Sequence, residues 1–381
     1  MAALLSSTTS PMRLLFSFAL LVAASGPAWA QERALESSPF LLFDFAEHMS
    51  ADVQLGDLDG DGDLDVVLAN GRHWAEPDFV YLNAGNGRLL EALPVGAALR
   101  PTYTFQLADL DGDGDLDAVA VYDDLAPQSF LNDGSGHLTP GARFDGDGGN
   151  ARGAVLADVN GDGAPDLVVA RRREADAVHL GDGMGGFGPA RRIGATEGAS
   201  TDVAAADLDG DGDVDLAFAR RDGQPSAVAL NDGSGGFTEH ALPGSVADTR
   251  RVVAADVDGD GHVDLALGII GGPNALYLGD GTGGFVRGAT FGAADGRTYA
   301  LAAADLDGNG SLDFVEGNDE QPNAAYFNEG HGRTFRRVVL GEDAAETYGV
   351  AVGDLDGDGF PDVVFANSGS VNEVYRNRPA D

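Results

Sequence analysis

Short apolar runs alternate along the chain with acidic, glycine-rich stretches, and no apolar pattern is long enough to make a helix of ordinary length. Arg251-Val252-Val253-Ala254-Ala255 leads into one such stretch and Asp264-Leu265-Ala266-Leu267 leaves it, the pattern of two strands joined in a hairpin. A third β-prone element follows about a dozen residues later, as in Tyr81-Leu82-Asn83, Phe130-Leu131-Asn132 and Tyr375-Arg376-Asn377. Next comes a tight turn such as Asp232-Gly233-Ser234-Gly235-Gly236, where glycine supplies positive φ, and then an aromatic such as Phe237 or Phe285 opens a fourth strand.

The unit repeats. Its acidic loop begins at Asp57, Asp109, Asp158, Asp207, Asp256, Asp305 and Asp354, with a first spacing of 52 residues and five further spacings of 49. Seven units of four antiparallel strands predict an all-β, seven-bladed β-propeller. The last unit lacks its aromatic-led strand, while Phe40-Leu41-Leu42-Phe43-Asp44-Phe45 stands free before the first loop. An N-terminal strand over 38–47 is therefore expected to close the ring. The expected blades are 51–95, 100–147, 150–194, 199–243, 248–292, 297–341 and 346–377, all within one domain over 31–381. A linear array or a β-solenoid would not need termini that complement each other.

In Asp57-Leu58-Asp59-Gly60-Asp61-Gly62-Asp63-Leu64-Asp65, side-chain oxygens at positions 1, 3, 5 and 9 and a carbonyl at 7 can converge on one point. Two carboxylates about 5 Å apart repel by roughly 3 kcal/mol at an effective dielectric near 20, so four require a counter-ion. The other loops offer Asp109, Asp111, Asp113, Asp117; Asp158, Asn160, Asp162, Asp166; and Asp207, Asp209, Asp211, Asp215. The last three offer Asp256, Asp258, Asp260, Asp264; Asp305, Asp307, Asn309, Asp313; and Asp354, Asp356, Asp358, Asp362. Calcium is the expected ion, up to seven of them in a structural role, with weaker sites where Asn160 and Asn309 remove a charge. An EF-hand is excluded, because it needs a glutamate at position 12 and flanking helices, whereas position 12 here is mostly apolar.

Asp+Glu 62 against Lys+Arg 23 gives a net charge of −39, which makes nucleic acid and anionic lipid poor partners. Arg13, the apolar run from Leu14 to Ala24 and Ala28-Trp29-Ala30 read as a signal peptide over 1–30, cleaved after Ala30, with Met12 as an alternative start. The run is too short to span a bilayer, and no other stretch is apolar enough. A secreted or periplasmic monomer is expected, and with no cysteine its rigidity must come from something other than disulfides.

With Asn274-Ala275-Leu276-Tyr277 and Asn323-Ala324-Ala325-Tyr326 after their loops, the chain resembles FG-GAP/VCBS repeat proteins and the propeller of integrin α-subunits. The resemblance implies calcium in the hairpin loops of one rim, as structural staples. It does not extend to integrin adhesion, for there is no von Willebrand-type insert, extra domain or cysteine. Bacterial exported repeat proteins are the nearer likeness.

A binding face is expected on the opposite rim. Counting six residues back from each loop gives Ala51, Tyr103, Arg152, Thr201, Arg250, Tyr299 and Tyr348. Counting thirteen forward gives Asn70, Tyr122, Arg171, Arg220, Ile269, Asn318 and Asn367. Strand alternation would set both rows at the channel mouth. Tyr103, Arg152, Arg171, Arg220, Arg250, Tyr299 and Tyr348, with Trp74 beside His73, are the candidate contacts for an extracellular carbohydrate or a protein ligand. A calcium-stabilised lyase or hydrolase is the alternative. Against catalysis, the seven histidines share no repeat position, and no nucleophile elbow, zinc-protease or phosphate-loop motif occurs.

Overall fold

The computed structural model describes residues 33–144, 149–194, 197–341 and 344–380; the leader expected over 1–30 lies outside them. The described residues form 28 strands and no helix. They make seven four-stranded antiparallel sheets, six of them built from consecutive strands. The seventh runs in the order Arg33–Phe43, Asn372–Pro379, Asp362–Ser368, Glu346–Gly353, so the N-terminus supplies its outer strand.

Each blade's first strand, such as Ser50–Gly56, lies innermost and touches the first strands of both neighbouring blades. Second strands such as Asp65–Asn70 and Asp215–Arg220 are buried along their whole length, so both faces must be apolar or paired. Fourth strands such as Phe237–Ala241 are largely exposed and carry charge, which blunts the outer edge. Seven apolar clusters follow, one between each pair of adjacent blades. The one that joins the seventh blade to the first contains Phe43, Val53, Leu68, Tyr81 and Val364.

The closing strand is offset from the expected 38–47. It pairs Arg33–Ser37 against Tyr375–Pro379, shifts register, and then pairs Leu42 and Phe43 with Glu373 and Asn372. Asp44 and Glu47 both adopt positive φ (53°), turning the chain from the seventh blade into the first and ending the strand at Phe43. Among the aromatics of this segment Phe43 is the anchor, 2% exposed and edge-on to Tyr81 at 5.2 Å, whereas Phe45 is 70% exposed.

Truncating a buried phenylalanine removes its transfer free energy and leaves a cavity. Phe43→Ala is expected to cost about 3–5 kcal/mol in denaturant unfolding, and Phe45→Ala no more than about 0.5 kcal/mol. Equal losses from the two would contradict closure through Phe43.

Candidate functional site

The acidic loops join first to second strands and so lie together on one rim. Positions 4 and 6 need positive φ, as at Gly60 (73°) and Gly62 (94°), and glycine stands at both in every loop. The position-1 carboxylate accepts N–H groups from both glycines, Gly60 to Asp57 Oδ1 at 2.9 Å and Gly62 to Oδ2 at 3.1 Å. This folds the turn inward. In the loops of Asp57, Asp109, Asp207, Asp256 and Asp305, oxygens of three aspartates lie within 4.8 Å of one another. An all-oxygen set at this spacing has the chemistry of a calcium site.

The position-9 aspartates have a second duty. All seven are fully buried, and each accepts one N–H from position 2 of its own loop and one from the end of its blade's third strand, at 2.7–3.2 Å. In five blades that third-strand residue is an asparagine: Asn83, Asn132, Asn231, Asn328 or Asn377. Its amide reaches on to the position-2 carbonyl of the preceding blade, as Asn132 Nδ2 does to Leu58 O at 2.8 Å. Gly181 and Gly279 replace it in the third and fifth blades, where the backbone N–H groups of Gly185 and Gly283 reach Leu110 O and Leu208 O. These loop-to-loop ties were not read from the sequence, although the asparagines recur there.

The seventh loop differs from the rest. Arg378 donates to Asp356 at 3.1 Å, with Arg376 3.8 Å away, and Arg33 donates to Asp358 at 3.2 Å while its guanidinium lies 3.5 Å over the Phe360 ring. The carboxylates at positions 3 and 5 are thus already paired with cations. Chain termini supply all three arginines.

At the other rim, every first strand carries a register shift against its partner. The unpaired residue is Ala51, Tyr103, Arg152, Thr201, Arg250, Tyr299 or Tyr348, so a β-bulge occurs seven times at the position six before the loop. A bulge re-aims a side chain, and here six of the seven line one pocket of about 150 Å³, joined by Arg72, His73, Arg172 and Arg221.

The bulge also moves the forward row. Arg171 and Arg220 pair in register with Ala151 and Ser200 and are buried inside the blades. Arg220 there makes a two-bond pair with Glu239 (2.9 and 2.6 Å) and reaches Asp176 and Ser200. Arg172 and Arg221, one residue later, face the pocket instead. Trp74 is 57% exposed outside it and edge-on to His73.

Within the pocket, His73 contacts Asp123 through Nδ1 (2.6 Å) and the Tyr103 hydroxyl through Nε2 (3.1 Å), and Arg152 donates to the other Asp123 oxygen at 2.6 Å. Partial burial opposes ionisation of Asp123, but the bonds from His73 and Arg152 outweigh it and hold the carboxyl below its usual range. Arg172 forks onto Asp222 at 2.9 and 2.7 Å. Tyr299 and Tyr348 meet edge to face at 4.8 Å, and the Arg72 guanidinium covers Tyr348 at 3.6 Å.

Beneath the pocket, Arg251 spans the axis. From the fifth blade it reaches Asp202 of the fourth (3.5 Å), Asp52 of the first (3.4 Å), and the carbonyls of Tyr299 and Tyr348 in the sixth and seventh (3.2 and 3.1 Å). The central channel is thereby braced, and the pocket has a floor.

A model of the FG-GAP-like repeat matches residues 57–120, 109–169, 158–218, 207–267 and 313–365. Each of the first four stretches runs from one acidic loop to just past the next, and the matches together cover well over half of the chain. The protein therefore belongs to the FG-GAP-like repeat family, as a seven-bladed propeller. It is similar in fold to the BBS1N chain crystallised in complex with ARL6DN and soaked with lead, at 13% identity and TM-score 0.60, covering 91% of this chain and 98% of that one. The mercury-soaked crystal of the same complex matches at 13% and 0.60, covering 90% and 97%. No curated protein sequence matches the chain.

Without a bound ion, burial pushes Asp65 and Asp362 up to about 6 and Asp313 up to about 7, and it also raises Asp117, Asp166, Asp215 and Asp264. A carboxyl raised in the folded state holds its proton more tightly than in the unfolded chain, so its ionisation costs stability as pH rises. In chelator, thermal stability is expected to fall from about pH 4 to about pH 7, the window between the unfolded and the highest folded values. A melting temperature that rises across this window would contradict the assignment.

Proposed function

We propose that this propeller is an exported interaction module, held rigid by calcium in its acidic loops, that engages a carbohydrate or protein ligand at the bulged mouth. The recurrence of the bulge in all seven blades carries the reading, because it turns six different side chains toward one pocket. Five of the chain's 23 arginines gather there in a protein of net charge −39. FG-GAP repeat propellers are generally interaction modules, and the BBS1N chain of similar fold was crystallised with a protein partner. The leader pattern over 1–30 supports export, and among the described residues no helix is long and apolar enough to cross a membrane. A glycan array and a pull-down of extracellular proteins test the mouth: the double variant Tyr103→Ala/Arg152→Ala is expected to lose the ligand, and unchanged retention would exclude this face.

For the metal, the loops of the first six blades are the proposed calcium sites, while in the seventh Asp356 and Asp358 are already paired with Arg33, Arg376 and Arg378. Each ion contributes about 2.7 kcal/mol at a hundredfold excess over its Kd, so chelation is expected to lower the melting temperature on the order of 20 °C. Asp207→Asn/Asp209→Asn removes one site and is expected to lower it by about 3–4 °C in calcium and far less in chelator. Identical melting curves with and without chelator would reject calcium.

One observation favours a second reading, the hydrogen-bonded row Asp123–His73–Tyr103 beside the arginines. With His73 oriented by Asp123, the Tyr103 hydroxyl would give its proton to His73 and then take the C5 proton of a uronate; the C4–C5 double bond forms as the glycosidic C4–O bond breaks, and the leaving oxygen is protonated from His73 or water. Ultraviolet detection of unsaturated products from uronate polysaccharides, lost in Tyr103→Phe, would establish it, and no turnover across the panel would reject it.

A further inference from the structure

Three arginines of the fourth and fifth blades sit largely out of solvent, and the fold treats them differently. Arg220 has Glu239, Asp176 and Ser200, and Arg251 has two carboxylates and two carbonyls. Arg250 is just as deep, 6% exposed, yet among the described residues its guanidinium has no hydrogen bond and no ion pair, and its Nε is wholly enclosed without a partner. The Tyr299 ring lies 5.8 Å from its guanidinium, and Asp202 and Tyr103 act on it only through space. Burial, with Arg251 and Arg72 close by, presses its pKa down to about 10, so it remains charged at neutral pH.

A buried cation without a hydrogen-bonding partner is destabilising, and charged groups perturbed by burial cluster at functional sites. Arg250 lines the floor-bounded pocket, and Arg72, on the same wall set, also has no carboxylate partner among the described residues. The ring faces of Tyr103 and Tyr348 are covered by Arg152 and Arg72, at 4.6 and 3.6 Å, so those faces are not free to stack on a neutral sugar. What the pocket offers is guanidinium N–H groups, for the buried Thr201 hydroxyl already donates to the Thr249 carbonyl at 2.8 Å.

We infer that the pocket binds an oxyanion, a carboxylate or sulfate carried by the ligand, with Arg250 as its buried anchor and Arg72 as the second cation. The inference rests on the reading of the mouth as the ligand site. A guanidinium fork matches two oxygens of either group, and the site already holds the charge that such a group needs. The acidic rim does not prevent this. It lies a strand length away, about 20 Å, well beyond the Debye length of about 8 Å at physiological salt.

Calorimetric titration and thermal shift with galacturonate, galactose 6-sulfate, N-acetylaspartate and neutral galactose test the proposal. The protein should bind at least one of the three anions and not galactose; which anion binds separates an acidic sugar, a sulfated sugar and an acidic peptide as the source. Arg250→Gln should weaken that binding at least about thirtyfold. Its melting temperature without anion should be no lower than that of the unaltered protein, since the unpaired charge is gone. Arg191→Gln, on an exposed outer strand, should bind as the unaltered protein does. Absence of binding to every anion, unchanged affinity in Arg250→Gln, or a lowered melting temperature in that variant would overturn the proposal. A ligand lost in Tyr103→Ala/Arg152→Ala but kept in Arg250→Gln would overturn it while leaving the mouth as the binding face.

Discussion

Crowded carboxylates are the constraint on which this ring depends. Each blade gathers four or five acidic or amide side chains into one nine-residue turn, and like charges at such spacing repel by several kcal/mol unless something neutralises them. The last aspartate of each turn is buried and holds both its own loop and its own third strand through backbone N–H groups. That third strand, in five blades, donates to the loop of the blade before it. Whatever sets the charge state of the loops therefore acts on the contacts between blades. The seventh loop shows the same need met by other means, with three arginines in the space where a cation would act.

One hairpin serves both rims. Its turn gathers acids, and its other end, a strand length away, carries a bulge that aims a side chain at the axis. The demand for particular residue types is thus confined to one end, where every loop keeps the same glycines, while the bulged residue varies among alanine, tyrosine, arginine and threonine. A ring so built is free to change its pocket without changing its frame. Arg251, next to a bulge, closes the axis beneath, tying five blades together and giving the pocket a bottom.

The architecture was legible because repetition converts a weak local signal into a strong one. A single Asp-Gly turn says little, but seven in register, with a strand missing from one end and spare at the other, define a closed wheel. The positions six before each loop were reached by counting, although the bulge rather than strand alternation is what turns them to the axis. Because counting thirteen forward ignores that bulge, it lands on Arg171 and Arg220 inside the blades, and Arg172 and Arg221 were passed over. A bulge leaves no mark of its own in the residue pattern here. Neither the arginines of the seventh loop nor the asparagine ties were visible: Arg33 meets Asp358 within the seventh blade from 325 residues away, and the asparagines reach across a blade boundary.

One electrostatic proposal joins these parts, that divalent cations fill the loops that arginine does not. Metal analysis of the purified protein after equilibration with millimolar calcium tests it most directly. Six bound ions per chain are expected, and material that retains none would contradict the account.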